Sequence, residues 1–182
     1  MIVIVYGYEG SGPGHWQRWL EAELQRRGAA VAFPELSDPL APDKDRWVAE
    51  LAQVVEAGTE PVTLVAHSLG CWLVDHFVHE RGGACLHAAL LVAPPSPHLI
   101  FEAVDSFLLP PRRREAWAAI AARSLIVSSD NDEFATAAEI EAIATDLNVK
   151  YQMIPEAGHI NSASGYGPWP FAIEWLRQVG AL

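Results

Sequence analysis

Hydrophobic residues occur along this chain in short runs, which are separated by longer stretches with helical spacing. The runs are rich in β-branched residues and predict six strands, at Ile2–Val5, Val31–Phe33, Val62–Ala66, Ala88–Val92, Leu125–Ser128 and Val149–Ile154. The third run is apolar almost throughout, which is typical of a strand that helices cover on both faces.

The stretches between the strands repeat apolar residues every three to four positions, as amphipathic helices do. The first begins near Trp16 and ends at Gly28, a helix-terminating glycine, and Asp43 is placed to cap the second. Further helices are expected at about 70–80, 112–122, 136–146 and 170–178. Because helices usually connect parallel strands, this alternation predicts one α/β domain over residues 1–182, with a doubly wound, mostly parallel six-stranded sheet and helices on both faces.

The segment Pro94–Pro111 is the least regular part of the chain. It is rich in proline and contains the apolar residues Phe101, Phe107, Leu108 and Leu109. Two interpretations are open: a small flap over a pocket, or a connecting loop with a short helix packed on the core.

The overall charge argues against nucleic acid as a partner. The formal net charge is −11, and Arg112-Arg113-Arg114 is the one basic run, which is typical of a solvated helix start. No stretch reaches the roughly 20 apolar residues of a membrane-spanning helix. The N-terminal residues Met1–Val5 resemble a buried strand rather than a secretion signal, so we expect a cytoplasmic protein.

Cysteine and histidine spacing predicts neither a metal site nor a cofactor. Cys71 and Cys85 lack metal-ligand spacing and the density of a disulfide scaffold, so we expect reduced core thiols. The remaining histidines outside the motifs below also show no ligand pattern: His76, His79, His87 and His98.

A serine follows the third predicted strand directly, in the run Ala66-His67-Ser68-Leu69-Gly70. A serine hydroxyl is a weak nucleophile unless a base removes its proton and the fold projects its oxygen outward. Small residues two before and two after the serine permit the sharp strand-to-helix turn called a nucleophile elbow, here with Ala66 in place of the usual first glycine. Ser68 is therefore the candidate nucleophile.

An acidic loop and a late histidine complete a candidate triad. Asp130, Asp132 and Glu133 follow the fifth strand, and their spacing alone does not distinguish them. His159 follows the sixth strand in a loop, next to a glycine. The order serine, acid, histidine is the one that α/β-hydrolases use, and the carboxyl ends of parallel strands share one edge of the sheet.

The glycine-rich segment Tyr6–Gly14 follows the first strand and lacks the lysine of a phosphate-binding loop. A better role is half of an oxyanion hole, with the backbone N–H of Tyr8 joining that of Leu69, and with Glu9 as the alternative to Tyr8.

With these segments the chain resembles the small serine-hydrolase family of α/β-hydrolases that contains retinoblastoma-binding protein 9 and the bacterial YdeN-like proteins. The match runs nearly end to end, and its last block is the most distinctive. The shared segments are the His15-Trp16 pair, Val65–Gly70, Ser129–Asp132, Gly158–Asn161 and Gly165–Pro170. Two departures are Tyr6, where many α/β-hydrolases have histidine, and Ala135-Thr136 in place of Val-Pro after the acid.

The resemblance implies an α/β-hydrolase fold without a large cap domain, and it assigns the triad acid to Asp132. It implies hydrolysis of a small ester or related acyl substrate, with Ser68 as nucleophile and His159 as general base. An alternative of another class is a binding protein that retains the fold with weak or vestigial chemistry. Carbon–carbon or peroxide chemistry on the same triad is a third option.

Four further residues receive structural interpretations. His67 occupies the free position of the elbow and is expected to be structural, whereas His15 caps a helix or lines the site. Trp72 and Trp169 are expected in the core, with the border of the pocket as the alternative.

Overall fold

Six strands pair side by side into one parallel sheet in the computed structural model, which describes residues 1–108 and 114–182. The order across the sheet is β2-β1-β3-β4-β5-β6, and every neighbouring pair is parallel. The strands are β1 (Ile2–Val5), β2 (Val31–Ala32), β3 (Val62–His67), β4 (Leu86–Val92), β5 (Leu125–Ser129) and β6 (Lys150–Ile154). The predicted parallel sheet is confirmed, with strand ends that differ by one or two residues.

Six α-helices connect and follow the strands in the described residues. They are α1 (Trp16–Arg26), α2 (Lys44–Glu56), α3 (Leu69–Arg81), α4 (Arg114–Trp117), α5 (Ala137–Leu147) and α6 (Pro170–Gln178). The predicted cap of α2 is confirmed, because the Asp43 carboxylate accepts a hydrogen bond from the Arg46 N–H at 2.8 Å. None of the helices in the described ranges is long and apolar enough to cross a membrane.

The prediction of one helix over 112–122 is wrong in its extent. Residues 112 and 113 lie outside the described residues, as do Leu109–Pro111 of the irregular segment. Within the described residues α4 covers one turn, and a 3₁₀ helix follows at Ala121–Arg123. After Trp117 the backbone changes to bonds between residues three apart, with the Ile120 N–H donating to Trp117 O at 2.9 Å and the Arg123 N–H donating to Ile120 O at 3.0 Å, so the α-helix does not continue.

Helices cover both faces of the sheet, as predicted. Val3 and Val5 point to the face packed by α2, α3, α4 and α5, whereas Ile2 and Ile4 point to the face packed by α1 and α6. Strand side chains alternate between faces, so a strand that is buried on both sides is apolar at successive positions. The described residues contain no separate cap domain over the sheet.

The strand order reverses direction between β1 and β3. These two strands are neighbours, with Val5 opposite Ala66. The strand that follows β1 in the chain lies on one side of this pair in the sheet order, and the strand that follows β3 lies on the other. In open α/β sheets the crevice at the carboxyl ends of such strands is the usual ligand site. The loops after β1 and β3 therefore meet where a site is expected.

Candidate active site

Ser68 forms the sharp turn between β3 and α3. Its backbone has φ 54° and ψ −128°, a conformation that non-glycine residues rarely adopt. Two hydrogen bonds hold it: the Ser68 N–H donates to Val92 O at 3.0 Å, and the Cys71 N–H donates to Ser68 O at 2.8 Å. The side chain is partly exposed. The turn thus presents the hydroxyl above the sheet edge.

Two glycines permit the elbow to pack against the end of β1. A Cβ atom on Gly70 would lie 2.6 Å from Tyr6 O and 2.7 Å from Val5 O, and one on Gly7 would lie 2.8 Å from Leu69 N. Since the obstructing atoms belong to the backbone, they cannot move aside as the end of a flexible side chain can. Both positions accept only glycine without a shift of the main chain.

His159 lies next to Ser68, with its Nε2 atom 2.9 Å from the serine Oγ. The imidazole is buried, with 7% of the residue exposed. Its loop is held from both sides, because the His159 N–H donates to Ser164 Oγ at 3.2 Å and the Gly158 N–H donates to Asn131 Oδ1 at 2.7 Å.

The structure distinguishes the three acids that spacing left open. Asp132 places both carboxylate oxygens near His159 Nδ1, at 3.0 and 2.9 Å, and its side chain is fully buried. Asp130 instead accepts a hydrogen bond from the Glu156 N–H at 2.8 Å. Glu133 is exposed. Asp132 is therefore the acid that contacts the histidine.

These contacts determine the tautomer of His159. A carboxylate only accepts hydrogen bonds, so Nδ1 carries the proton and donates it toward Asp132. Nε2 is then the acceptor for the Ser68 hydroxyl. When an alcohol, an imidazole and a carboxylate are hydrogen-bonded in this order, the imidazole can remove the proton of the alcohol.

The backbone amides of Tyr8 and Leu69 are both available near the serine. Within residues 1–108 and 114–182 neither N–H has a hydrogen-bond acceptor, whereas the Glu9 N–H donates to Pro39 O at 2.9 Å. Glu9 is thus already engaged, which favours Tyr8 between the two alternatives. Gly7 brings the Tyr8 loop against the first turn of α3.

Tyr6 anchors the start of this loop in the core. Its hydroxyl donates to Leu36 O at 2.9 Å and accepts from the Leu36 N–H, and its ring packs on Trp47. Burial raises the pKa of the Tyr6 phenol. Gln17 braces the same loop, since its side-chain amide donates to Val5 O at 2.9 Å and accepts from the Ser11 hydroxyl at 2.6 Å.

A cavity of about 380 Å³ opens beside Ser68. Its lining combines polar groups on one side with apolar side chains from the segment after β4. The lining residues are Tyr8, Glu9, Gly10, Gly12, His15, His67, Ser68, Leu69, Pro95, Leu99, Phe101, Val104, Phe134, His159, Asn161 and Ser162. The irregular segment contributes Pro95, Leu99, Phe101 and Val104, and a 3₁₀ helix at Glu102–Phe107 forms part of it.

Neither tryptophan proposed as a pocket border reaches this lining. Trp72 is buried, and its indole N–H donates to Pro95 O at 3.1 Å. Trp169 packs edge-to-face on Trp16, with ring centroids 5.0 Å apart. Both belong to the packing of the core, which was the first interpretation.

Three histidine rings form a cluster at the base of the cavity. The His67 ring lies 4.9 Å from those of both His15 and His159, and its Nε2–H donates to His159 O at 2.9 Å. Burial, more than the neighbouring histidines, lowers the pKa of His67 well below its usual range. Burial also lowers the pKa of His15 to about 4, with contributions from His159 and Arg18.

His15 has both of the roles that the sequence left open. Its Nδ1 atom accepts from the Gln17 N–H at 3.2 Å and caps α1, and the side chain also lines the cavity. No sequence pattern indicated Phe134, whose ring lies 4.6 Å from that of His159, or Ser164, which accepts the His159 N–H. In the described part of the chain, no three histidine, cysteine or acidic side chains form a group that could hold a metal ion. Cys71 and Cys85 are both free thiols.

Known proteins resemble this chain over nearly its whole length. The model of the family described as serine hydrolase matches residues 2–178. YdeN of Bacillus subtilis, named as a hydrolase, is 22% identical over 183 residues, which cover 97% of this chain and 94% of YdeN. The YdeN crystal structure matches with a TM-score of 0.84 and covers 100% of this chain and 98% of its own.

Two further solved structures share the fold. A YdeN-like hydrolase from Pectobacterium atrosepticum is 25% identical, with a TM-score of 0.81 and coverage of 98% of this chain and 89% of its own. The esterase domain of a Rhodothermus marinus protein is 13% identical, with a TM-score of 0.66 and coverage of 97% and 86%. The chain therefore has the α/β-hydrolase fold.

Proposed function

The chain belongs to the serine hydrolase family, and from that premise we propose that it hydrolyses an ester or related acyl substrate through Ser68, His159 and Asp132. The observation that supports this most strongly is the continuous hydrogen-bond chain from the Ser68 hydroxyl through His159 to a fully buried carboxylate. Such a chain activates serine in unrelated hydrolase folds.

In the proposed mechanism His159 Nε2 removes the hydroxyl proton while Ser68 Oγ attacks the substrate carbonyl. Asp132 keeps the proton on Nδ1 and stabilises the imidazolium that forms. The imidazolium then protonates the leaving alcohol, which departs and leaves an acyl-enzyme. A water molecule, deprotonated by the same imidazole, hydrolyses the acyl-enzyme and restores Ser68.

The backbone N–H groups of Tyr8 and Leu69 are the proposed oxyanion donors. Both lack a protein acceptor in the described residues, and Gly7 permits the loop that carries Tyr8 to approach Leu69 at the start of α3 closely. A donor aimed at the developing negative oxygen typically contributes about 2.7–4 kcal/mol to transition-state stabilisation.

The cavity favours a small-molecule substrate. Its volume of about 380 Å³ lies within the range of small-molecule sites, and no cap domain covers it among the described residues. The formal net charge of −11 disfavours a polyanionic substrate. The likeness to an esterase domain supports ester chemistry within the hydrolase class.

The test is covalent labelling with a fluorophosphonate probe, followed by intact-mass detection of acyl-enzyme from p-nitrophenyl esters. Wild-type protein should react, and Ser68→Ala should abolish labelling and lower kcat by about 10⁴–10⁶-fold. His159→Ala should also prevent labelling, whereas the exposed His98→Ala serves as the matched control and should label normally. Wild-type protein that fails to react would instead favour the binding-protein alternative.

A further inference from the structure

The wall of the cavity that faces the segment after β4 is apolar. Leu99, Phe101 and Val104 form it, with Val104 4% exposed, and Phe134 from the loop after β5 adds a further apolar ring to the cavity lining. The rest of the lining includes polar side chains, among them His15, Asn161 and the exposed Glu9. One side of the site can therefore bury hydrocarbon without leaving a charged group unpaired.

Phe101 belongs to this apolar lining. Its ring packs edge-to-face on Tyr8, with centroids 5.0 Å apart, and the residue remains 41% exposed. A second, more open cavity of about 570 Å³ adjoins the same ring. Phe101 is the residue that both linings share in the described part of the chain.

Ala41, Pro42 and Ala103 contribute apolar surface to the second cavity, beside the exposed side chain of Glu102. Two of its polar side chains are already engaged. Asp43 caps α2, and the Ser106 hydroxyl donates to Pro42 O at 3.2 Å and accepts from the Lys44 N–H at 3.2 Å. These bonds leave methyl and ring surfaces available to an apolar chain.

We propose that the site takes esters of apolar carboxylic acids, and that the Phe101 ring ends the acyl pocket and limits the length of the acyl chain. This inference rests on the proposed hydrolase function. Each methylene that enters an apolar pocket raises kcat/KM about fourfold. Once the acyl chain reaches the ring, each further methylene stays outside the pocket and brings no such gain. Removing the ring joins the two cavities and extends the pocket toward Ala41 and Pro42.

The experiment compares kcat/KM for p-nitrophenyl acetate, butyrate, octanoate and dodecanoate. For wild type we expect a rise and then a fall along the series. For Phe101→Ala the maximum should move to a longer chain, and the dodecanoate-to-butyrate ratio should rise about tenfold or more. Phe101→Trp should move the maximum to a shorter chain. Tyr151→Ala is the matched control, because Tyr151 is 43% exposed on β6 and does not line either cavity.

The rate of fluorophosphonate labelling at Ser68 reports whether each variant keeps an intact site. A profile that stays unchanged in both Phe101 variants, while Ser68 still labels, would overturn the inference and leave the proposed hydrolase intact. A wild-type preference for a carboxylated acyl group, such as a succinyl half-ester over butyrate, would overturn it as well. If wild type hydrolyses no ester and Ser68 does not label, the proposed function itself fails.

Discussion

Asp132 holds the Nδ1 atom of His159 between its two carboxylate oxygens, at 3.0 and 2.9 Å. The carboxylate is fully buried and also accepts the Phe134 N–H at 3.0 Å. Because it is anchored by this second bond, it orients the imidazole and directs Nε2 toward Ser68.

Replacing Asp132 by asparagine should therefore lower kcat by about 10⁴-fold, as the equivalent change does in other triads. The asparagine amide can donate to Nδ1, which favours the tautomer in which Nε2 carries the proton and cannot accept from Ser68. Glu133→Gln, at an exposed neighbouring acid, is the control and should retain wild-type kcat. Steady-state kinetics checks both, and a larger loss in Asp130→Asn than in Asp132→Asn would contradict the assignment.

The buried His15 should make stability depend on pH. Its pKa is about 4 in the folded protein and 6.5 ordinarily, chiefly because of burial. Between these values the unfolded chain binds more protons than the folded chain, so the free energy of unfolding falls as the pH falls. From pH 7 to pH 4.5 this group should remove about 2–3 kcal/mol.

Urea unfolding of wild type and His15→Asn over this pH range measures that contribution. Asparagine can still accept the Gln17 N–H at the helix start but does not titrate. We expect the plots of unfolding free energy against pH to have similar slopes near pH 7. Below pH 6.5 the plots should separate, because the unfolding free energy of the wild type falls more than that of His15→Asn. Parallel curves would show that His15 does not contribute.

Gly70→Ala should destabilise the protein by about 1–3 kcal/mol, because the added methyl would lie against backbone oxygens of Tyr6 and Val5. Alanine inside an ordinary helix would stabilise instead. Gly12→Ala is the control, since no atom lies within 4 Å of its added Cβ. Thermal unfolding compares the two variants, and a Gly70→Ala protein more stable than wild type would contradict the close approach.

Tyr6→Phe should cost about 1–3 kcal/mol of unfolding free energy. The change removes the hydroxyl that pairs with both backbone groups of Leu36, a residue that is 4% exposed. Tyr151→Phe, at a 43% exposed position, should change stability by less than about 0.5 kcal/mol. Urea unfolding at neutral pH measures both, and equal losses would show that the buried hydroxyl contributes nothing.

Local patterns were sufficient for much of the fold. Six apolar runs predicted six strands, and their alternation with helical stretches predicted a parallel sheet, because apolar period and crossover length are properties of short segments. The elbow was visible for the same reason: a buried strand, a serine and a following helix lie within a few residues. The extent of the helix expected at 112–122 was not visible in this way, since apolar spacing does not distinguish an α-helix from the 3₁₀ bonding that follows Trp117.

The amino-acid sequence by itself determined the strands, the order of serine, acid and histidine, and the glycines that the elbow requires. Only the tertiary structure decided which of three neighbouring acids meets His159, that Glu9 is engaged by Pro39, and that Phe101 lies between two cavities. The physical reason is distance along the chain. Residues two apart in a loop differ little in sequence pattern, whereas their orientations depend on contacts with segments that are many residues away.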